Sequence, residues 1–160
     1  MRFNQLQRRD LLVLVGGIAA MAYPLVAHAQ QPSSVPRLGF LTDETQIVGS
    51  AALKVLATAL SERGYTEGRN IVFESRYADY NNDLLPDLAA ELVRMQVNVI
   101  FSVGTPATRA AKNATDTLPI VFSRVADPVA LGLVSSLVRP GGNLTGVSVM
   151  SSDLAAKRLE

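Results

Sequence analysis

No cysteine occurs in the 160 residues, and the one histidine, His28, lies within the first thirty. The first absence removes disulfides, thiol nucleophiles, thiolate metal sites and any cysteine that could carry a lipid. With His28 set aside, the rest of the chain lacks the two commonest general-base and nucleophile side chains and the favoured ligands of zinc and copper. Catalysis is therefore disfavoured before any fold is considered, and neither a metal nor a cofactor is expected. Phosphate-cradling signatures are missing as well. Gly104-Thr105-Pro106-Ala107 is not followed by Gly-Lys-Ser/Thr, and no Gly-x-Gly-x-x-Gly follows the first expected strand. No basic stripe is present to meet nucleic acid.

What is present begins with an address. Arg2, Arg8 and Arg9 form a positive head, residues 11–26 are apolar, and Ala27-His28-Ala29 gives a small-x-small pattern before Gln30. Residues 1–29 therefore read as an export signal cleaved after Ala29, delivering the mature chain to the periplasm. The apolar run is about 16 residues, short of the ~20 that span a bilayer, and Pro24 interrupts its end. An uncleaved anchor is the weaker reading, so no stable membrane anchor is expected after cleavage. Arg8-Arg9-Asp10-Leu11-Leu12 resembles a twin-arginine signal with leucine where phenylalanine is more usual, which leaves twin-arginine and general secretory export both open. Removing residues 1–29 takes three Arg and one Asp from totals of 15 basic and 14 acidic, leaving 12 against 13. The slight overall basicity thus belongs to the signal. The remaining ~130 residues suffice for one domain with a real core.

After a polar leader over residues 30–35, strands and helices alternate through a lobe at 36–149. Residues 36–42 read as a buried first strand. Val48, Ala52, Val55, Leu56, Ala59 and Leu60 recur at helical spacing and predict a helix over about 48–63, with Gly64 after its end. Residues 70–77 alternate as a strand near the sheet edge, and Asp83 is placed to cap a helix striped by Leu84, Leu85, Leu88, Leu92 and Val93. Residues 98–103, 119–122 and 144–149 supply three more strands. Helices are expected over 105–115 and from Pro128, the latter turning Leu131, Val134, Leu137 and Val138 inward. Such alternation implies right-handed crossovers and an α/β fold: a doubly wound, five-stranded parallel sheet whose most favoured order is 2-1-3-4-5. Residues 150–160 begin a further helix, read as a crossover towards a second lobe that the sequence does not include.

Two strands run into a capping residue followed by proline, at Thr105-Pro106 and Asp127-Pro128. A side-chain oxygen there accepts an orphan N–H, and proline lacks one, so a helix starts where each strand ends. In a parallel sheet both N-termini, with spare N–H groups and positive dipole ends, open on one rim. On local signal, capping alone and a ligand-holding role are both open for the two residues, and their shared rim favours the second. Asp43, Glu44, Asp127 and Asp153 invite a metal or carboxylate-pair reading, which is weak because the third strand ends in Ser102, Gly104 and Thr105 rather than an aspartate. Tyr77 and Tyr80 are more readily packing residues than stacking platforms, and Arg124 reads as a solvated surface arginine.

The order and spacing of several segments carry a resemblance. Residues 62–71 (ERGYTEGRNI), 85–93 (LPDLAAELV), Gly104-Thr105-Pro106-Ala107, Pro119-Ile120-Val121-Phe122, Asp127-Pro128-Val129 and 139–147 (RPGGNLTGV) together resemble the substrate-binding proteins of ABC transporters in the tryptophan/aromatic amino-acid-binding-like family. The resemblance implies a type I periplasmic-binding fold, in which two hinged α/β lobes close on a small ligand and deliver it to an ABC permease in the inner membrane. It also implies a first-lobe cleft face formed by Thr42 and Asp43, by Thr105, Pro106 and Ala107, and by Asp127. Backbone N–H groups over 105–107 would hold a carboxylate, and Asp127 would accept from an amino group or cap its helix. The expected ligand is a hydrophobic or aromatic amino acid or a similar small carboxylate. Family members are roughly twice as long, so half a cleft is expected to bind weakly by itself. A periplasmic sensing module reporting to a membrane receptor and a flavodoxin-like enzyme domain are the competing classes, the latter disfavoured by the missing His and Cys.

Overall fold

The first strand, β1 (Arg37–Thr42), is buried along all but its first residue and occupies an interior position in the sheet. The computed structural model describes residues 35–149; the expected export signal, most of the expected leader and the helix expected over 150–160 lie outside the described residues. The other strands are β2 (Val72–Tyr77), β3 (Val99–Val103), β4 (Ile120–Val125) and β5 (Leu144–Ser148). All neighbouring pairs are parallel, and the spatial order is β2-β1-β3-β4-β5, as the alternating pattern predicts. Because the pairing aligns Thr42 with both Tyr77 and Val103, the carboxyl ends of β1, β2 and β3 finish level, and β4, whose Ser123 pairs with Val103, continues two residues further.

Among the described residues three α-helices cover the sheet: α1 (Gln46–Ser61), α2 (Leu85–Arg94) and α3 (Thr105–Ala114). The side-chain period of two sorts β1 between its faces. Leu38 and Phe40 face α1 through Ala52, Leu53, Leu56 and Leu60, while Leu41 joins Leu85, Leu92, Ile100, Ala107 and Ala111 under α2 and α3. The α2/α3 side holds most of the fully buried apolar volume. The α1 side is thinner, and Ile47, Val48 and Val55 on that helix remain exposed, so the apolar stripe expected to bury Val48 and Val55 is narrower than the sequence suggests.

Two helix starts differ from expectation. A 3₁₀ turn over Asn82–Leu84 precedes α2, and Asn81, not Asp83, caps it by accepting from the Asp83 N–H at 3.2 Å. At α3 the capping position belongs to Gly104, and Thr105 is already helical with no side-chain capping bond. Proline is tolerated at either of the first two helical positions, which is why the motif was ambiguous by one residue.

The helix expected from Pro128 does not form. Residues 127–143 make a succession of turns: the Leu131 N–H reaches Asp127 O at 3.1 Å, but Gly132 N–H turns back to Val129 O and Ser135 N–H reaches forward to Pro140 O. The chain goes left-handed at Gly132. The Ser135 and Ser136 hydroxyls take the Arg139 carbonyl, offering the backbone an alternative to helical bonds. Leu133 and Val134 are buried, whereas Leu137 and Val138 are 51% and 91% exposed. Lys112 of α3 pins the segment by donating its Nζ to the Gly132 and Leu133 carbonyls at 2.6 and 3.1 Å.

Candidate functional site

The level strand ends make a rim, and the β1/β3 boundary is where the winding of the sheet reverses. Ligands of doubly wound sheets bind outside the strand carboxyl ends at such a point. Here the loop leaving β1 and the start of α3 face each other across it. The β1 loop is fixed from the far side by the turn after β2: the N–H groups of Ala78, Asp79 and Tyr80 donate to the carbonyls of Thr42, Glu44 and Asp43 at 3.0, 3.3 and 2.7 Å. Asp79 and Tyr80 both take positive φ to make this turn.

On the other side, Gly104 has φ 92° and ψ 156°, a region essentially reserved for glycine. Asp43 lies against it, since a Cβ at position 104 would stand 2.6 Å from Asp43 Oδ1. The turn is held from within. Thr108 Oγ1 donates to the Gly104 carbonyl at 2.8 Å and accepts from Ser102 Oγ at 2.9 Å, the direction following from the single hydroxyl proton of Thr108. The first turn of α3 leaves the N–H groups of Thr105 and Ala107 free of intrahelical partners; Pro106, between them, has none to offer.

These elements enclose a concavity of about 410 Å³ lined by Asp43, Glu44, Tyr80, Val103, Gly104, Thr105, Pro106 and Arg124. Three of the six residues expected from sequence, Asp43, Thr105 and Pro106, line it directly. Thr42 is buried behind them, its Oγ1 accepting from the Glu44 N–H at 3.2 Å, and Ala107 is buried in the first turn of α3. Asp127 is not among the lining residues; its Oδ1 accepts from the Ala130 N–H at 2.9 Å and closes the turn after β4.

Glu44 and Arg124 are the residues the sequence undervalued. Arg124 is not simply solvated: its Nη1 donates to Glu44 Oε1 at 2.6 Å, joining the end of β4 to the loop after β1 across the end of β3. A register shift between Ser123 and Val125 places Arg124 in a bulge with φ 61°. Bulges re-aim a side chain in this way, and nothing in the alternation of residues 120–125 announces one. Tyr77 packs on Phe40 with ring centroids 6.0 Å apart, as expected, but Tyr80 stands exposed at the pocket.

A larger groove, about 480 Å³, lies between the starts of α2 and α3 and is lined by Asn82, Leu85, Pro86, Thr105, Pro106, Arg109, Ala110 and Asn113. It shares Thr105 and Pro106 with the smaller concavity but carries no carboxylate, so the smaller concavity is the better chemical site. Among the described residues no cluster of His, Cys, Asp and Glu is arranged to hold a metal, and no helix is long and apolar enough to cross a membrane.

The sheet order and the bracketing helices are those of one lobe of a type I periplasmic-binding fold. The chain belongs to the family described as ABC transporter substrate binding protein, whose match spans residues 45–160. It is similar to a tyrosine-binding protein of Clostridioides difficile, with 38% identity over 97 residues that cover 61% of this chain and 28% of that protein. Among solved structures it is similar to a conserved domain protein from Vibrio cholerae, with a TM-score of 0.72 and 31% identity over 79% of this chain and 43% of the other. The ligand-free, open structure of a substrate binding protein with adhesive properties from Clostridium difficile aligns at TM-score 0.70 and 31% identity, covering 78% and 43% of the two chains. A domain from Streptococcus pneumoniae in complex with L-Trp aligns at 0.66 and 26%, covering 72% and 39%. The chain thus spans less than half the length of each of these relatives.

Proposed function

We propose that this chain supplies one wall of an amino-acid-binding cleft in an exported, non-catalytic solute receptor that serves an ABC importer. One observation carries the reading. At the β1/β3 boundary the free N–H end of α3 faces the Asp43 and Glu44 carboxylates across a single pocket. A zwitterionic α-amino acid offers the complementary pair: its carboxylate meets the Thr105 N–H group and the positive helix end, and its ammonium meets the acidic loop. Thr42 and Asp127 belong to the same rim as supports of the β1 loop and of the turn after β4. Tyr80, exposed at the pocket mouth, is placed to cover an aromatic side chain, consistent with the tyrosine and L-Trp named for two relatives. The export signal over 1–29 brings the chain to the periplasm, and the permease of an ABC importer is the partner that receives the ligand.

The test is a two-dimensional amide NMR titration of the mature chain, a method that detects binding even in the millimolar range. L-tyrosine or L-tryptophan should shift the amides of Gly104, Thr105 and Ala107 in a saturable way, with a neutral sugar leaving them in place. Saturable shifts confined to the α2/α3 groove, or none at all, would overturn the assignment.

A further inference from the structure

We propose that Glu44 and Arg124 form an exchange pair that selects for the ligand's ammonium group: the guanidinium covers Glu44 in the empty lobe and turns to the ligand carboxylate on binding, releasing Glu44 to the ammonium. The inference rests on the amino-acid reading of the pocket and adds to it the residues that set its specificity.

Three features of the pair point this way. Glu44 is only 8% exposed, yet only one of its carboxylate oxygens is satisfied: Oε1 takes Arg124 Nη1, and Oε2 is buried with no hydrogen-bond partner among the described residues. Buried acceptors are almost always paired in native proteins, so a lone one lining a pocket marks a place where a donor is to arrive. Arg124 has the opposite character. Its side chain is 58% exposed, it makes one hydrogen bond, and its remaining N–H groups donate to nothing among the described residues. A guanidinium with a free edge is suited to receive a carboxylate in the two-pronged manner that lysine cannot reproduce.

The backbone supports the same role. Arg124 is held at φ 61° in the β4 bulge, a conformation that non-glycine residues seldom adopt and that persists at sites where it serves to aim a side chain. Without the bulge, strict alternation along β4 would carry the side chain to a different part of the rim. Charge completes the case. Asp43 and Glu44 bring two negative groups to the pocket and Arg124 brings one positive group, a net charge of −1 that a zwitterion leaves unchanged and a carboxylate without an amine makes more negative. A simple carboxylate without an amine would leave Glu44 Oε2 unpaired and bring a third negative charge.

The discriminating probes are L-tyrosine and its des-amino analogue, 3-(4-hydroxyphenyl)propionate, titrated by amide NMR into the wild-type mature chain and into the Glu44→Gln and Arg124→Gln variants. The wild type should bind L-tyrosine at least tenfold more tightly than the analogue. Glu44→Gln should bring the two within threefold, and Arg124→Gln should weaken both. Retention of the wild-type preference by Glu44→Gln, with L-tyrosine still shifting Gly104 and Thr105, overturns this inference and leaves the functional reading standing. Absence of any L-tyrosine response in the wild type overturns both. Dispersed spectra in each variant confirm folding; should Glu44→Gln not fold, Arg124→Gln decides alone, and undiminished binding of both probes then overturns the exchange.

Discussion

A single hydroxyl decides the shape of the turn where β3 enters α3. Thr108, fully buried, supports the Gly104 carbonyl and accepts from Ser102, so the strained glycine is braced from below by side chains of the strand and the helix it joins. Thr108→Val keeps the volume and removes both bonds. Leaving a buried hydroxyl without its partner costs about 1–3 kcal/mol, so the unfolding free energy of the mature chain should fall by that amount, read as a lower urea midpoint at unchanged slope. An unchanged midpoint would show the brace to be dispensable. The sequence located this turn and its proline but gave the supporting role to the Thr105 hydroxyl, because a capping motif is read from local spacing whereas the bond from Ser102 comes from the neighbouring strand. Arg124 was hidden for a similar reason: its partner is 80 positions away, and the bulge that aims it leaves no mark on composition.

At the scale of elements, period and punctuation located most of what forms. All five strands and the first three helices sit within a few residues of their expected places. The exception, the segment after Pro128, has the apolar spacing of a helix, yet Gly132, the Ser135-Ser136 pair and Pro140-Gly141-Gly142 divide it into turns. Periodicity reports which residues prefer burial and cannot weigh the backbone alternatives those breakers offer. The position of α1 depends on a feature equally silent in the pattern. Gly49 is its one buried residue, and a Cβ there would approach the Tyr77 ring and Thr42 Cγ2 at 2.7–2.8 Å. Gly49→Ala gains up to about 1 kcal/mol in helix propensity but overpacks the contact, at a cost of about 1–3 kcal/mol. Net destabilisation is expected, read as a lower melting temperature by circular dichroism. A higher one would mean that α1 lifts from the sheet without penalty.

For the whole molecule, the sheet order follows from chain topology and was the most legible property of all. Once strands and helices alternate at these lengths, right-handed crossovers leave few arrangements. Stability is concentrated on the α2/α3 side, where Leu92 is completely buried beside Leu41, Ala89 and Ile100. Leu92→Ala should cost about 2–5 kcal/mol, a large share of the roughly 5–15 kcal/mol that holds a domain together, and equilibrium denaturation should report it as a shifted midpoint with an unchanged slope.

The main-chain bonds from residues 78–80 to residues 42–44 have a consequence for how this wall meets a solute. A loop already tied down has little disorder left to surrender when a small molecule lands, so its affinity is not diluted by a folding step. On the proposed reading, recognition rests on side chains carried by a pre-set frame, selective through which partners they exchange rather than through how far the backbone travels.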